Sequence, residues 1–398
     1  MEQALSGIRV LDVTHYIAGP YCTKLLADYG AEVIKVERPG TGDGARRLGP
    51  FHGDDPHPEK SGFFLYLNTS KQGITLNLKS RMGLRIFCEL VKEADILVES
   101  FRPGVMASLG LDYESMEKIN PRLVMTSISN FGQTGPYRDY KASDIVADGM
   151  GGWMSIIGHP DREPLKPGGN QAQFVAGLFG AVGTMTALHG REVTGLGQHV
   201  DISIMEAVLY IQMNITQYYA YHERIPGRIG NLVLPPPGSI LPCRDGYIGA
   251  IAVTTSQWQK LCDWMGRSEL ADDPRFQTRL HRTENIDELN ATLIGWLAEQ
   301  DQEELLQEAQ KRRIPFGIPA STERLLRSRH LNERGYFVDV EHPATGKVRY
   351  PGAQFRMGGL SYELGRAPLL GEHNESIYCG RLGYSREDLV RLREYGVI

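Results

Sequence analysis

The chain has 398 residues, which at roughly 150 per domain suggests two or three domains and excludes a small disulfide-stapled scaffold. Apolar residues make up 41% and charged ones 23%, the balance of a folded globular chain and not of a disordered tail. Forty-three Lys and Arg against 48 Asp and Glu leave a net charge of −5, which argues against a nucleic-acid binder, so an anionic ligand has to be met by a local cluster of cations.

The opening MEQALSGIRVLDV has no basic stretch leading into an apolar one, so no signal peptide is expected. Ile8 to Thr14 is apolar and β-branched, Pro20 to Tyr29 has a helical pattern closed by Gly30, and Ala31 to Val36 is a second apolar run. That is a β-α-β unit, whose right-handed crossover makes the strands parallel. Asp95 to Glu99 and Leu123 to Ser127 each follow a helical segment, so a doubly wound α/β domain is expected through about residue 130. Helical patterns follow over residues 143–158, 174–189 and 204–221. The middle one holds the longest apolar run, but Gly177, Gly180 and Gly183 interrupt it and it falls short of the roughly 20 residues of a membrane span, so it reads as a buried helix.

Residues 225–245 carry Pro226, Gly230, Pro235, Pro236, Pro237 and Gly238, and read as a linker that neither a helix interior nor a central strand accommodates. Beyond it, one strand over residues 247–253 and helices near 255–265, 284–299 and 302–312 predict a small, mostly helical domain that ends at Ile314-Pro315-Phe316-Gly317. Tyr336 to Glu341 and Lys347 to Tyr350 flank HPATG as a hairpin, and a last helix covers residues 385–395.

Ligands of open α/β sheets sit at the carboxyl ends of the strands, which directs attention to the first loop, His15-Tyr16-Ile17-Ala18-Gly19-Pro20. It lacks GxGxxG. Glu37 fits the acid of a dinucleotide site, but no glycine turn is present for the pyrophosphate. His15 is either a histidine bonded within the loop or a ligand contact. Arg38, Lys71, Lys79, Arg102 and Lys141 fall near the ends of the apolar runs, and either converge on one rim to meet a phosphate-bearing ligand or belong to a solvated surface. No HxxxH or CxxC spacing suggests a metal, and there is no GxSxG elbow. The five cysteines lie far apart and read as reduced thiols of a cytoplasmic protein. Gly168 to Gln173 is a polar lead into the most apolar helix, either a cap or a place where the helix N-terminus stabilises developing negative charge. Trp153, Met154 and Ile157 either wall an acyl pocket or belong to the core.

Taken together, the blocks LSGIRVLDVTHYIAGPYCTKLLADYGAEVIKVERPGTGD, NTSKQGITLNLKS, ADILVESFRPGVMASLG, NPRLVMTSISNFGQTGP, GREVTGLGQHVDIS and LLGEHNESIYCGRLGYSREDL span nearly the whole chain. In them it resembles the class III CoA-transferases, the family of formyl-CoA transferase, the carnitine-related CoA-transferases and α-methylacyl-CoA racemase. The resemblance implies a Rossmann-like, doubly wound domain binding coenzyme A (CoA), formed by residues 1–224 and completed by a return segment at 326–398. It also implies a linker and small domain at 225–325, and two subunits threaded through each other as an interlocked dimer. CoA and acyl-CoA are substrates in this family, with an organic acid as the other partner. No permanent cofactor, metal, nucleic acid or membrane is implied.

Carried over residue by residue, His15, Ile17 and Ala18 line the pantetheine end and Arg38 meets the nucleotide phosphates. Leu76, Asn77 and Lys79 form the adenine side, and Ser100, Phe101 and Arg102 with the stretch from Lys141 to Asp144 close the pocket. Ile17 replaces the Gln of formyl-CoA transferases, and Leu232-Val233-Leu234 with the prolines replaces their glycine loop, which points away from oxalate or formate. The largest departure is at the nucleophile, where the family's Asp is replaced by Gln173; Ser143 likewise stands at the racemase branch's His position. An amide carries no charge at pH 7 and cannot attack a thioester as a carboxylate does. The expectation is a chain that is inert alone and pairs with an Asp-bearing paralogue, as in two-subunit benzylsuccinate-type CoA-transferases. The alternatives are an enzyme using another carboxylate, Asp144 or Asp161 being nearest in sequence, and an acyl-CoA-binding protein; a homodimer and a heterodimer both stay open.

Overall fold

Six strands pair into one parallel sheet: β1 (Arg9–Asp12), β2 (Glu32–Glu37), β3 (Gln72–Thr75), β4 (Ile96–Glu99), β5 (Val124–Ser129) and β6 (His199–Ser203). Their order is β3-β2-β1-β4-β5-β6, every neighbouring pair parallel. This is the doubly wound arrangement, with its switch point between β1 and β4. Successive side chains point to opposite faces, so each strand feeds two cores. Leu11, Ile34, Leu97 and Met125 pack on one face with Phe87 and Leu90, while Val10, Val33, Ile96 and Val124 pack on the other with Cys22, Leu26 and Ala176.

The computed structural model describes residues 3–232 and 236–398. The chain divides into two compact units: Met1–Met154, Lys166–Pro226 and Gly335–Ile398 form one, and Ser155–Leu165 with Gly227–Arg334 the other. The smaller unit thus takes in an excursion at 155–165 and runs on to Arg334, beyond the expected return at 326. It holds a three-stranded antiparallel sheet, β7 (Gly238–Cys243), β8 (Gly246–Ile251) and β9 (Phe316–Gly317), beside helices at Thr255–Trp264, Ile286–Leu297 and Gln302–Arg312. Its core gathers Trp258, Leu261, Phe276, Leu289, Leu293 and Leu305. In the larger unit, β10 (Phe337–His342) and β11 (Gly346–Pro351) form the expected hairpin.

The helix α1 (Ala18–Ala27) connects β1 to β2, and α3 (Gln171–Thr194) lies against it. Small residues permit the approach: a Cβ on Gly177 would stand 2.5 Å from the Ala18 carbonyl oxygen, and one on Gly180 would stand 2.8 Å from Ile128. The glycines that interrupt the apolar run are therefore packing devices. Among the described residues no helix is long and apolar enough to cross a membrane.

Several sequence expectations need correction. The helix at 143–158 stops early: α2 covers only Asp144–Met150, because Gly151 lies where a Cβ would meet Val208 at 2.6 Å and Gly152 turns left-handed, at φ +87°. The stretch 204–221 is two helices, Ile204–Tyr210 and Met213–His222, parted where Gln212 leaves helical geometry and donates to the carbonyls of Val208 (2.8 Å) and Gly151 (3.0 Å). Part of the supposed linker is strand β7; Pro242 fits because β7 is an edge, where a missing N–H breaks no ladder. Val233, Leu234 and Pro235 lie outside the described residues.

Candidate active site

The loop after β1 is fixed from beneath by buried charge. Asp12, Lys35 and Asp43 are fully buried, with Lys71 nearly so. Lys35 lies 3.0 Å from Asp43 Oδ2, and Lys71 donates to Asp12 Oδ2, Asn68 Oδ1 and the Pro20 carbonyl, each at 2.9 Å. Burial works to raise Asp12, but Lys35, Lys71 and the hydroxyls of Thr14 and Thr23 overcome it and hold the carboxyl far below its usual range. These acids then take the loop's backbone. Thr14, His15 and Tyr16 donate their N–H groups in succession to Asp12 Oδ1 (2.9 Å), Ser100 Oγ (2.9 Å) and Asp43 Oδ1 (3.0 Å).

Two cavities open at the carboxyl ends of the strands, and His15 and Phe101 belong to both. One, of about 660 Å³, is lined by Arg38, Leu76, Asn77 and Lys79 with Pro39 and Gly396. The other, of about 720 Å³, is lined by Ile17, Ala18, Ser100, Arg102, Lys141, Asp144 and Gln173, with Tyr16, Asn130, Arg138 and Tyr140. Every residue carried over to the CoA pocket, with Gln173, thus lines one of the two. His15 stands edge-on to Phe101, ring centres 5.4 Å apart, and burial lowers its imidazole pKa against the pull of Asp43. Asn77 is bound into its own loop, accepting from Lys79 N at 3.0 Å and donating to Gly396 O at 3.2 Å. Arg38, Lys79, Arg102 and Lys141 are exposed and, among the described residues, none is paired with a carboxylate. Such cations keep their full capacity for an anionic ligand.

Gln173 is the third residue of α3, half-buried in the wall of the larger cavity; no hydrogen bond of its amide is found among the described residues. Gln173 and Gly177 share a helix face, so the contact of Gly177 with Ala18 fixes how near the amide stands to the first loop. Of the carboxylates in that wall, Asp144 is held by Lys166 at 2.7 Å. Asp148, one turn on, is fully buried 3.5 Å from the same ammonium, and burial together with Asp144 raises its pKa. Lys166 also donates to the carbonyls of Pro167 (3.0 Å) and Gly169 (2.5 Å), so it pins the lead into α3 against α2.

Several open sequence readings are narrowed at this level. Lys71 is not on the rim but serves Asp12. Glu37, already without the glycine turn of a dinucleotide site, is gripped by Arg46 through two bonds, of 2.7 and 2.8 Å. Trp153 packs on the apolar core, the second of its two readings, and neither it nor Met154 lines the cavity; Ile157 lies in the smaller unit. Asp161, in the smaller unit, is exposed and 3.8 Å from His159. Conversely, Lys35, Asp43 and Tyr16 were not singled out. A lysine inside the apolar run AEVIKV was the available sign of a buried ion pair. Among the described residues no group of three His, Cys, Asp or Glu side chains is placed to hold a metal.

The family model described as CoA-transferase family III matches residues 5–374. Among curated relatives, the succinyl-CoA–D-citramalate CoA-transferase of Chloroflexus aurantiacus is 36% identical over 99% of this chain and 98% of its own length. The formyl-CoA:oxalate CoA-transferase of Streptomyces avermitilis is 36% identical, with 100% of both chains covered. Among solved structures, a CAIB/BAIF family protein from Brucella suis aligns with a TM-score of 0.86 at 32% identity, covering 96% of this chain and 100% of that one. Rv3272 from Mycobacterium tuberculosis aligns with a TM-score of 0.83 at 27% identity, covering 94% and 98%.

Proposed function

The chain belongs to CoA-transferase family III, and from that premise we propose that it binds CoA thioesters as the non-nucleophilic subunit of a two-chain CoA-transferase. CoA lies with its nucleotide against Arg38 and Lys79 and its thioester in the cavity that holds Gln173. The complete reaction moves CoA from a succinyl-CoA-like donor to an aromatic or other organic acid. An Asp on the paralogous chain attacks the thioester carbonyl and releases CoA thiolate, leaving a mixed anhydride. The thiolate then attacks the Asp carbonyl and frees the donor acid, leaving an enzyme thioester. The acceptor acid reverses both steps.

The observation that carries this reading is the amide of Gln173 in the cavity wall, beside an Asp144 already neutralised by Lys166. No charged nucleophile stands where the family's stood.

The test is direct. The purified chain should not exchange CoA between succinyl-CoA and aromatic or dicarboxylic acids, and Gln173→Asp should gain exchange by at least about a hundredfold over background, since one activated nucleophile is worth several kcal/mol. Mass spectrometry should find an acyl or CoA adduct on that Asp in the variant and none in the native chain. Efficient exchange by the native chain alone would overturn the two-chain reading in favour of another carboxylate; copurification with an Asp-bearing paralogue supports it.

A further inference from the structure

Tyr16 has no part in the CoA contacts described above, yet its backbone is unusual. Its φ is +66°, and of the five non-glycine residues with positive φ among those described, Tyr16, Asp54, Ser70, Glu223 and Arg313, it is the aromatic one. A bulky residue in this region is strained by about 1–2 kcal/mol, and such strain persists only where the surroundings fix it. Here they do, through the bond from its N–H to the buried Asp43. The ring lies over Gly44, where an added Cβ would stand 2.4 to 2.7 Å from its Cε1, Cζ and Oη. Gly44 has ordinary φ, so what requires glycine there is room for the ring. Tyr16 is nonetheless 55% exposed, and it lines the cavity that contains Gln173.

We infer that Tyr16 selects the acyl group: its fixed ring walls the space beyond the thioester and favours a flat aromatic acyl group over a short aliphatic one. The inference rests on the CoA reading above. His15 and Phe101 join the two cavities, so a CoA whose nucleotide meets Arg38 and Lys79 delivers its acyl group to the cavity where Tyr16 stands. A second aromatic, Tyr140, lines the same cavity and is braced by stacking on Tyr137, ring centres 4.9 Å apart. Arg138 and Lys141 flank it, so an aromatic carboxylate meets both a flat apolar surface and a cation there.

Calorimetry of the full chain with CoA, acetyl-CoA and benzoyl-CoA tests this. Tyr16→Asn removes the ring while keeping a residue that tolerates the left-handed backbone, Tyr16→Phe keeps the ring, and Gly44→Ala displaces it without touching it. The preference for benzoyl-CoA over acetyl-CoA should fall about threefold to tenfold in Y16N and G44A, as loss of one aromatic contact predicts. It should be kept in Y16F, with the affinity for free CoA unchanged in all three. An unaltered ratio in Y16N and G44A, or an equal loss for all three ligands, overturns the role of Tyr16 while leaving the CoA reading intact. Failure of the native chain to bind free CoA would overturn the CoA reading and this inference with it.

Discussion

Asp12 and Glu99 are buried carboxylates at the carboxyl ends of the neighbouring strands β1 and β4, and their surroundings are opposite. Two lysines hold Asp12 ionised. Glu99 has no cation beside it: burial pushes it up to about 7, against bonds from Ser127 and the Phe101 N–H (2.7 Å), with Asp201 adding repulsion. A depressed carboxylate contributes stability that is present above its ordinary pKa and lost as the pH falls. A raised one contributes stability that is present below its ordinary value, near 4.5, and lost as the pH rises through 7. Glu99→Gln should therefore flatten the decline between about pH 5 and 7 and stabilise the protein at pH 8 by up to about 3 kcal/mol, read from urea unfolding midpoints at both pH values. The individual site residues could be named from the sequence because the family's blocks fix their positions. The pairing of Lys35 with Asp43 could not, because nothing in the local sequence shows which buried acid meets which buried base.

Helix α3 is the element that carries Gln173 to the cavity wall. Its hydrophobic pattern showed a buried helix, and its glycines now have a reason: Gly177 lets the helix lie against the first loop, one turn from Gln173. Gly177→Val should force the two apart, lowering the melting temperature by an amount equivalent to about 1–3 kcal/mol, or more if the backbone cannot yield. It should also weaken CoA binding, and differential scanning and isothermal calorimetry check the two effects. Strands β3 and β6 escaped the sequence because QGIT has a single strongly apolar residue and HVDIS alternates exposed with half-buried positions, a weaker signal than the continuous apolar runs of β1, β2, β4 and β5. The helix boundaries at Met150 and Tyr210 were missed for another reason, since both depend on a contact with a distant segment, Gly151 on Val208 and Gln212 on Gly151.

For the whole molecule, a net charge of −5 disfavours an anionic ligand, so attraction has to be local. Arg38 and Lys79, which line the smaller cavity, would provide it under the proposed reading, and neither is tied to an acid among the described residues. Arg38→Ala should weaken CoA about tenfold, the worth of one charge-assisted hydrogen bond, and make binding less sensitive to salt. Titrations at low and high sodium chloride check this, and an undiminished salt dependence would place the phosphates elsewhere. The division of labour between segments is as telling. The last helix, which the sequence places at 385–395, packs into the sheet's core through Leu389 and Leu392. What no local pattern revealed is how closely that segment touches the cavity: Asn374 accepts from Thr75 N at 2.9 Å, Tyr378 donates to Thr75 O at 2.6 Å, and Val397 accepts from Asn77 N at 2.8 Å.

That closure has a consequence for biosynthesis. β3 and the loop carrying Leu76, Asn77 and Lys79 leave the ribosome hundreds of residues before Asn374, Tyr378 and Val397 arrive to seal them. Until then the cavity beside that loop lacks a side, and the bare edge of β3 is open to cellular chaperones or to a neighbouring polypeptide. The final shape of that cavity therefore waits on a segment synthesised last, and any ligand that needs the finished wall binds only after this segment has docked.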